Sequence, residues 1–135
     1  MKGPRHAILD ESGNVVECDL ITWAMWFEKS RQRIIEQDQI GDLWVSTIFI
    51  GLNHQYGRGP PLWFETMVFH EPEYEPGLDR MIRPEAGYCE RYTTIQEARA
   101  GHAAAIEWIR AKKAEQGSRY DSRAVLGLLK KKSRL

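Results

Sequence analysis

Glu65, His54 and His102 hold the chain's best material for acid–base chemistry. Glu65 stands in an apolar run beside Phe64 and Met67. A carboxylate buried there must be paired, hydrogen-bonded or protonated, because stranding its charge costs several kcal/mol. With His54 or His102 in hydrogen-bond reach it would form a general base and its orienting partner. Strand alternation equally lets Glu65 face solvent or be neutralised by Arg91. His102 falls on the apolar face of a helical segment, where a satisfied core histidine is the commoner outcome. Its neighbour Gly101 costs a helix roughly 1 kcal/mol against alanine, and a close helix-to-sheet contact would explain it.

Other constellations point to less. In the loop 53–61, glycine amides and Arg58 could meet a phosphate. The order Gly57-Arg58-Gly59-Pro60 is neither a Walker A motif nor a dinucleotide fingerprint, however, and an ordinary hairpin loop is expected. The histidines His6, His54, His70 and His102 are scattered, with none at the i,i+4 spacing of a helical zinc site. His70 with Glu71 and Glu73 offers a loose acidic cluster at most. Neither a metal site nor a cofactor is expected. Ser46 has no elbow motif, and Cys18 and Cys89 have no activating neighbours, so nothing reads as a nucleophile. The C-terminal segment sets Lys112, Lys113, Arg119, Arg123, Lys130, Lys131 and Lys132 among Val125, Leu126, Leu128 and Leu129. An amphipathic basic helix of this kind suits a nucleic acid, an acidic partner or the acidic body of a neighbouring copy. A frayed solubilising tail explains it equally.

The elements that must position these residues follow from pattern. His6–Asp10 and Val15–Cys18 flank a Ser-Gly-Asn turn and predict a hairpin. Asp19 is an N-cap for a helix over Leu20–Gln32, with Leu20, Trp23, Ala24 and Phe27 as its apolar stripe. A short strand is expected over Arg33–Gln37, a central one over Leu43–Leu52 and a third over Leu62–Phe69, the last two pairing antiparallel. Residues 70–90, with three prolines and several acids, are expected to be irregular. Thr94 and Glu97 form a capping box for a second helix that runs to about Glu115 and stops at Gly117-Ser118. A short basic helix over Ser122–Lys132 follows.

Composition bounds the rest. The 135 residues have the size of one domain, and five tryptophans weight its core with large rings. Each buried ring removes roughly 150–250 Å² from water. Two cysteines are too few for a secreted disulfide scaffold. No apolar run near the N-terminus suggests a signal peptide, and none approaches the roughly 20 residues of a membrane span. A cytoplasmic protein without membrane contact is expected. The formal net charge is zero, but residues 1–111 hold 11 basic and 17 acidic side chains while residues 112–135 hold 8 and 2. An acidic body thus carries a basic tail.

Three blocks carry a resemblance. They are Trp44–His54 (WVSTIFIGLNH), Gly59–Phe69 (GPPLWFETMVF) and Glu90–His102 (ERYTTIQEARAGH), in that order. Together they resemble a family of small bacteriophage and prophage proteins, over roughly residues 7–110. The resemblance implies origin and brings no activity or catalytic residue with it. The proline-rich insert around 70–88 and the basic tail depart from the family's compact pattern.

The expected fold is α+β: an antiparallel sheet of about four or five strands packed against two helices, with a short basic C-terminal helix or tail. Residues 1–116 form the domain and 117–135 the tail. The helices cover mainly one face, leaving Trp44, Trp63 and Trp26 on the other. The expected function is that of a phage-encoded accessory binding protein without catalysis. It counters a host defence by engaging a host or phage protein or a signalling nucleotide, with Trp44, Tyr56, Arg58 and Trp63 as the contact surface, and it self-associates if that surface pairs with itself. The alternatives are a small hydrolase or nucleotide-processing enzyme built on Glu65 with His54 or His102, and a nucleic-acid binder acting through the tail.

Overall fold

A computed structural model describes residues 4–75, 77, 80–82 and 85–132, with 74–75, 80–82 and 117–132 described as backbone. The chain opens with a hairpin, β1 (Ala7–Leu9) and β2 (Val15–Glu17). Its turn is tied by the Asp10 carboxylate, which accepts from the amides of Ser12 at 2.9 Å and Asn14 at 2.8 Å. The backbone amide of Asn14 heads the bonds that hold the Asp10 carboxyl below its usual range.

Asp19 then caps α1 (Leu20–Lys29), accepting from the Thr22 amide at 2.7 Å. The helix stops short of Gln32 because Ser30 leaves helical geometry and its hydroxyl caps a 3-10 turn over Arg31–Arg33. The inner side of α1 is Trp23, Trp26 and Phe27. Trp26 sits edge-on to Phe49 at 5.6 Å, Phe27 stacks on Trp23 at 5.2 Å, and the Trp23 indole donates to the Ile50 carbonyl at 2.8 Å. Leu20 and Ala24, expected on that inner stripe, point out to solvent instead. The three rings claim the inward side, and the register of the helix follows them.

The main sheet has the strand order β3–β4–β5–β8, antiparallel throughout: β3 is Ile34–Ile40, β4 Leu43–Phe49, β5 Phe64–His70 and β8 Glu85–Tyr92. Two short strands, β6 (Glu73–Glu75) and β7 (Arg80–Ile82), pair between β5 and β8. The expectation that residues 70–90 are irregular is therefore corrected over 73–75, 80–82 and 85–90, while 76, 78–79 and 83–84 lie outside the described residues. The alternation of Ala86, Tyr88 and Tyr92 supplies an apolar face for β8, which outweighs the nearby prolines and acids because β5 offers a free edge.

One helix, α2 (Ile95–Lys132), closes the fold. Its capping box forms: the Glu97 amide donates to Thr94 Oγ1 and the Thr94 amide to Glu97 Oε1, each at 3.1 Å. The helix runs without a break through Gly117 and Ser118, where a stop and a separate helix were expected. A mid-helix glycine lowers stability by about 1 kcal/mol but does not by itself end a helix. Among the described residues, no helix is long and apolar enough to cross a membrane.

Both helices lie on one side of the sheet. Val45, Thr47 and Phe49 of β4 and Phe64, Thr66 and Val68 of β5 turn toward them and are fully buried or nearly so. Ala98, Ala105 and Ile109 of α2 pack onto that layer. The opposite face carries Trp44, Ser46 and Ile48 of β4 and Glu65, Met67 and Phe69 of β5, all half-buried. Trp63 and Trp26, expected there, belong to the helix side: Trp63 is 5% exposed inside the core, and Trp26 packs against that same cluster. Only Trp44 of the three lies on the open face. Gly51, with φ of 72°, lets the backbone pass under the Ala7 carbonyl and the Trp23 indole.

Gly101 is explained by contact. A methyl group there would overlap the hydroxyl and ring of Tyr92, which lies directly against α2. On an exposed helix Gly→Ala gains stability; here overpacking should reverse the sign. Gly101→Ala should destabilise the protein by about 1–3 kcal/mol in chemical denaturation. A neutral or stabilising result would show that the helix-to-sheet contact is loose.

Candidate functional site

A hydrogen-bonded chain crosses the core at the centre of α2. On β3, alternate residues Glu36 and Asp38 face the helix, in register with Thr47 and Val45 of β4. From α2, one turn beyond Ala98, His102 reaches between them with only 1% of its side chain exposed. Its Nε2 lies 2.7 Å from Asp38 Oδ2 and 3.7 Å from Glu36 Oε2. Its Nδ1 lies 2.7 Å from Thr47 Oγ1, which in turn lies 2.6 Å from Thr66 Oγ1 on β5. Arg99, one turn before on the helix surface, reaches the other oxygen of Glu36 at 3.4 Å.

The arrangement has the outline of a carboxylate–histidine–hydroxyl relay, but its chemistry is confined. Thr47 and Thr66 are fully buried under α2, so neither hydroxyl is open to a substrate. The chain satisfies a buried imidazole at both nitrogens, as a core histidine requires. Tyr92 lies beside Thr66, and burial pushes its phenol up from the ordinary range, ahead of all other influences. The open edge of the cluster is the pair of carboxylates, with 34% of the Glu36 side chain and 51% of the Asp38 side chain exposed.

Glu65 lies elsewhere. On β5 it alternates with Phe64 and Thr66, so it faces away from α2 and from His102. Its carboxylate accepts from Arg91 Nε at 3.0 Å across the strand pair, with 13% of its side chain exposed. The Cys89 thiol donates to the same oxygen at 3.7 Å. Burial, then the Glu65 charge, pushes that thiol up, keeping it in the unreactive protonated form. His54 stays in the loop 53–61, where its Nδ1 donates to the Leu52 carbonyl at 2.9 Å. Asn53 organises this loop, its side chain donating to the Pro4 carbonyl and accepting from the amides of Gln55 and Leu62.

The expected binding residues divide. Tyr56 is 90% exposed and Arg58 is exposed at the loop tip, whereas Trp63 is buried and Trp44 half-buried on the open sheet face. Of the basic residues in the tail, Lys112 sits over the Trp108 ring at 4.3 Å and Lys113 pairs with Asp42 at 3.6 Å. Both line a cleft of about 270 Å³ between α2 and the strand ends, with His70, Trp108 and Gln116. Arg119, Arg123, Lys130, Lys131 and Lys132 lie on the helical backbone beyond it.

Two features escaped the sequence reading. Glu36, Asp38, Thr47 and Thr66 gather around His102, and the signal was a single threonine on the otherwise apolar inner face of each of β4 and β5. Exposed aliphatic side chains of α1 and of β2 form the second feature. Leu20 is 56% exposed, Ile21 72% and Met25 56%, with Val15 and Val16 of β2 also open.

Compared with protein-family models, with curated proteins and with solved structures, the chain matches none. Its site is read from its own geometry. Thr47→Val keeps the shape but removes the hydroxyl shared by His102 and Thr66. Leaving buried polar partners unsatisfied costs about 1–3 kcal/mol, so urea unfolding should show a loss of that size. In the Thr47→Val/Thr66→Val double variant, the two losses should not add, since both act on one chain of bonds. Additive losses would mean that the two hydroxyls act independently.

Proposed function

We propose that the protein is an accessory binding protein without catalysis, engaging a protein partner through the outer face of α1 and β2. The observation that carries this reading is that α1 is apolar on both sides. Trp23, Trp26 and Phe27 fill the inner side, yet Ile21 and Met25 on the outer side, and Leu20 at the helix start, keep more than half of their surface in water. Fully burying a side chain of this size contributes roughly 1.5–3 kcal/mol. Contiguous apolar patches on otherwise polar surfaces mark interaction sites. The bacteriophage resemblance of the three sequence blocks supports a phage origin, and counteracting a host defence is a purpose in keeping with a binding protein of this size.

A second reading draws on the cleft beside Trp108. Lys112, Lys113, His70 and Gln116 bring hydrogen-bond donors around it on an otherwise acidic body. Such a site suits a phosphate-bearing ligand, the nucleotide arm of the same binding function. The basic residues Arg119, Arg123, Lys130, Lys131 and Lys132 keep a nucleic acid as a further reading of the C-terminal segment.

The two readings separate experimentally. Ile21→Glu/Met25→Glu should leave the circular dichroism spectrum and melting temperature unchanged while abolishing the proteins retained by the immobilised wild-type chain. An identical set of retained proteins would sink the α1 surface. For the cleft, adenosine monophosphate should quench tryptophan fluorescence in the wild type. Trp108→Phe should lose most of that response, and Lys112→Glu/Lys113→Glu should weaken binding at least tenfold. No change in emission at millimolar nucleotide would end the second reading.

A further inference from the structure

We propose that Glu36, Asp38 and His102 form a binding site for a divalent first-row transition-metal ion at the β3 edge of the sheet. One donor atom from each residue converges there, and the three lie within 4.8 Å of one another. The spacing of His102 Nε2 to Asp38 Oδ2 is 2.7 Å and to Glu36 Oε2 3.7 Å. Neighbouring ligands around a tetrahedral ion with bonds of about 2.1 Å stand roughly 3.4 Å apart. Both observed spacings bracket that value.

A proton between His102 and Asp38 accounts for the shorter contact but not for Glu36. The 3.7 Å separation is too long for a hydrogen bond, and Arg99 takes only the other oxygen of Glu36. That leaves Glu36 Oε2 turned to the same point as Asp38 Oδ2, two anionic oxygens beside one imidazole nitrogen. A cation at that point is what would relieve their repulsion.

The support around the imidazole lies outside the three ligands. Metal-bound histidines almost always have their second nitrogen held by a hydrogen bond that fixes ring orientation and tautomer. Thr47 Oγ1, 2.7 Å from Nδ1, is placed to do this, and Thr66 buttresses Thr47 from the next strand. An ion would take the place of the Nε2 proton, with Nδ1–H then donating to Thr47 Oγ1 and the Nε2 lone pair pointing at the ion. The histidine is rigid and buried while the carboxylates reach solvent, so an ion can enter from outside and complete its coordination with water.

One nitrogen and two carboxylate oxygens select against Mg²⁺ and Ca²⁺, which prefer all-oxygen shells, and favour ions of the Zn²⁺ or Co²⁺ type. No helical spacing announces such a site, because its ligands come from β3 and α2.

The test is isothermal titration of the full chain with Zn²⁺, together with the visible spectrum after adding Co²⁺. One equivalent should bind, and the Co²⁺ bands should be those of a site with nitrogen and oxygen donors. Asp38→Asn, at a half-exposed position, should weaken Zn²⁺ at least tenfold without changing the fold. Thr47→Val should weaken it by about tenfold through the lost orientation of His102. Mg²⁺ should not compete. Zn²⁺ binding equally tight in wild type and Asp38→Asn would place the ion at other histidines or cysteines and overturn the proposal, as would a wild type that binds none.

Discussion

The structure depends on satisfying one buried imidazole. His102 lies under α2 with essentially no contact with water, and a histidine so placed is tolerable only with both ring nitrogens bonded. Thr47 and Asp38 meet that requirement from two adjacent strands. The hydroxyl chain then continues to Thr66 on a third strand, so a single side chain ties the helix to three strands of the sheet. Slipping α2 by one turn, about 5.4 Å, would strand the imidazole and both threonines together. Apolar packing of Ala98, Ala105 and Ile109 supplies the attraction between helix and sheet; the polar chain selects the register.

That register dictates what stays available for function. Because α2 and the inner rings of α1 share one face, the opposite face keeps Trp44, Ile48, Met67 and Phe69 half-buried, with no helix over them among the described residues. The three aromatic residues of α1 all turn inward, which leaves its aliphatic residues in water. The same geometry moves Glu65 to the far side of the sheet from His102, where Arg91 neutralises it. Two residues that could make an acid–base pair in sequence are thus separated by the thickness of a sheet, since adjacent positions of a strand point to opposite faces.

The carboxylates of β3 show how an edge strand can be useful. Glu36 and Asp38 face the helix layer, normally an apolar position, but the strand is the last in the sheet and its inner face is partly wet. Charge is therefore supportable there at a cost that a central strand could not meet. Thr47, one strand further in, is the outermost point at which the chain becomes fully dry. The cluster sits on that boundary, with solvent on one side and a rigid buried histidine on the other.

Local chemistry was legible without coordinates. The Asp19 cap and the Thr94–Glu97 box each act within three residues, so their hydrogen bonds could be read from spacing and form as expected. The hairpin followed from its Ser-Gly-Asn turn, β4 and β5 from their β-branched and aromatic residues, and Gly101 was rightly suspected of marking a tight contact. Tertiary structure decided the rest. β8 exists because β5 has an edge to offer, and Trp63 is inside because α1 and the first hairpin close over it. His102 acquires its partners from 55 and 64 residues away in the chain. No periodicity encodes a meeting at that separation; it arises only when the sheet is ordered and the helix is laid across it.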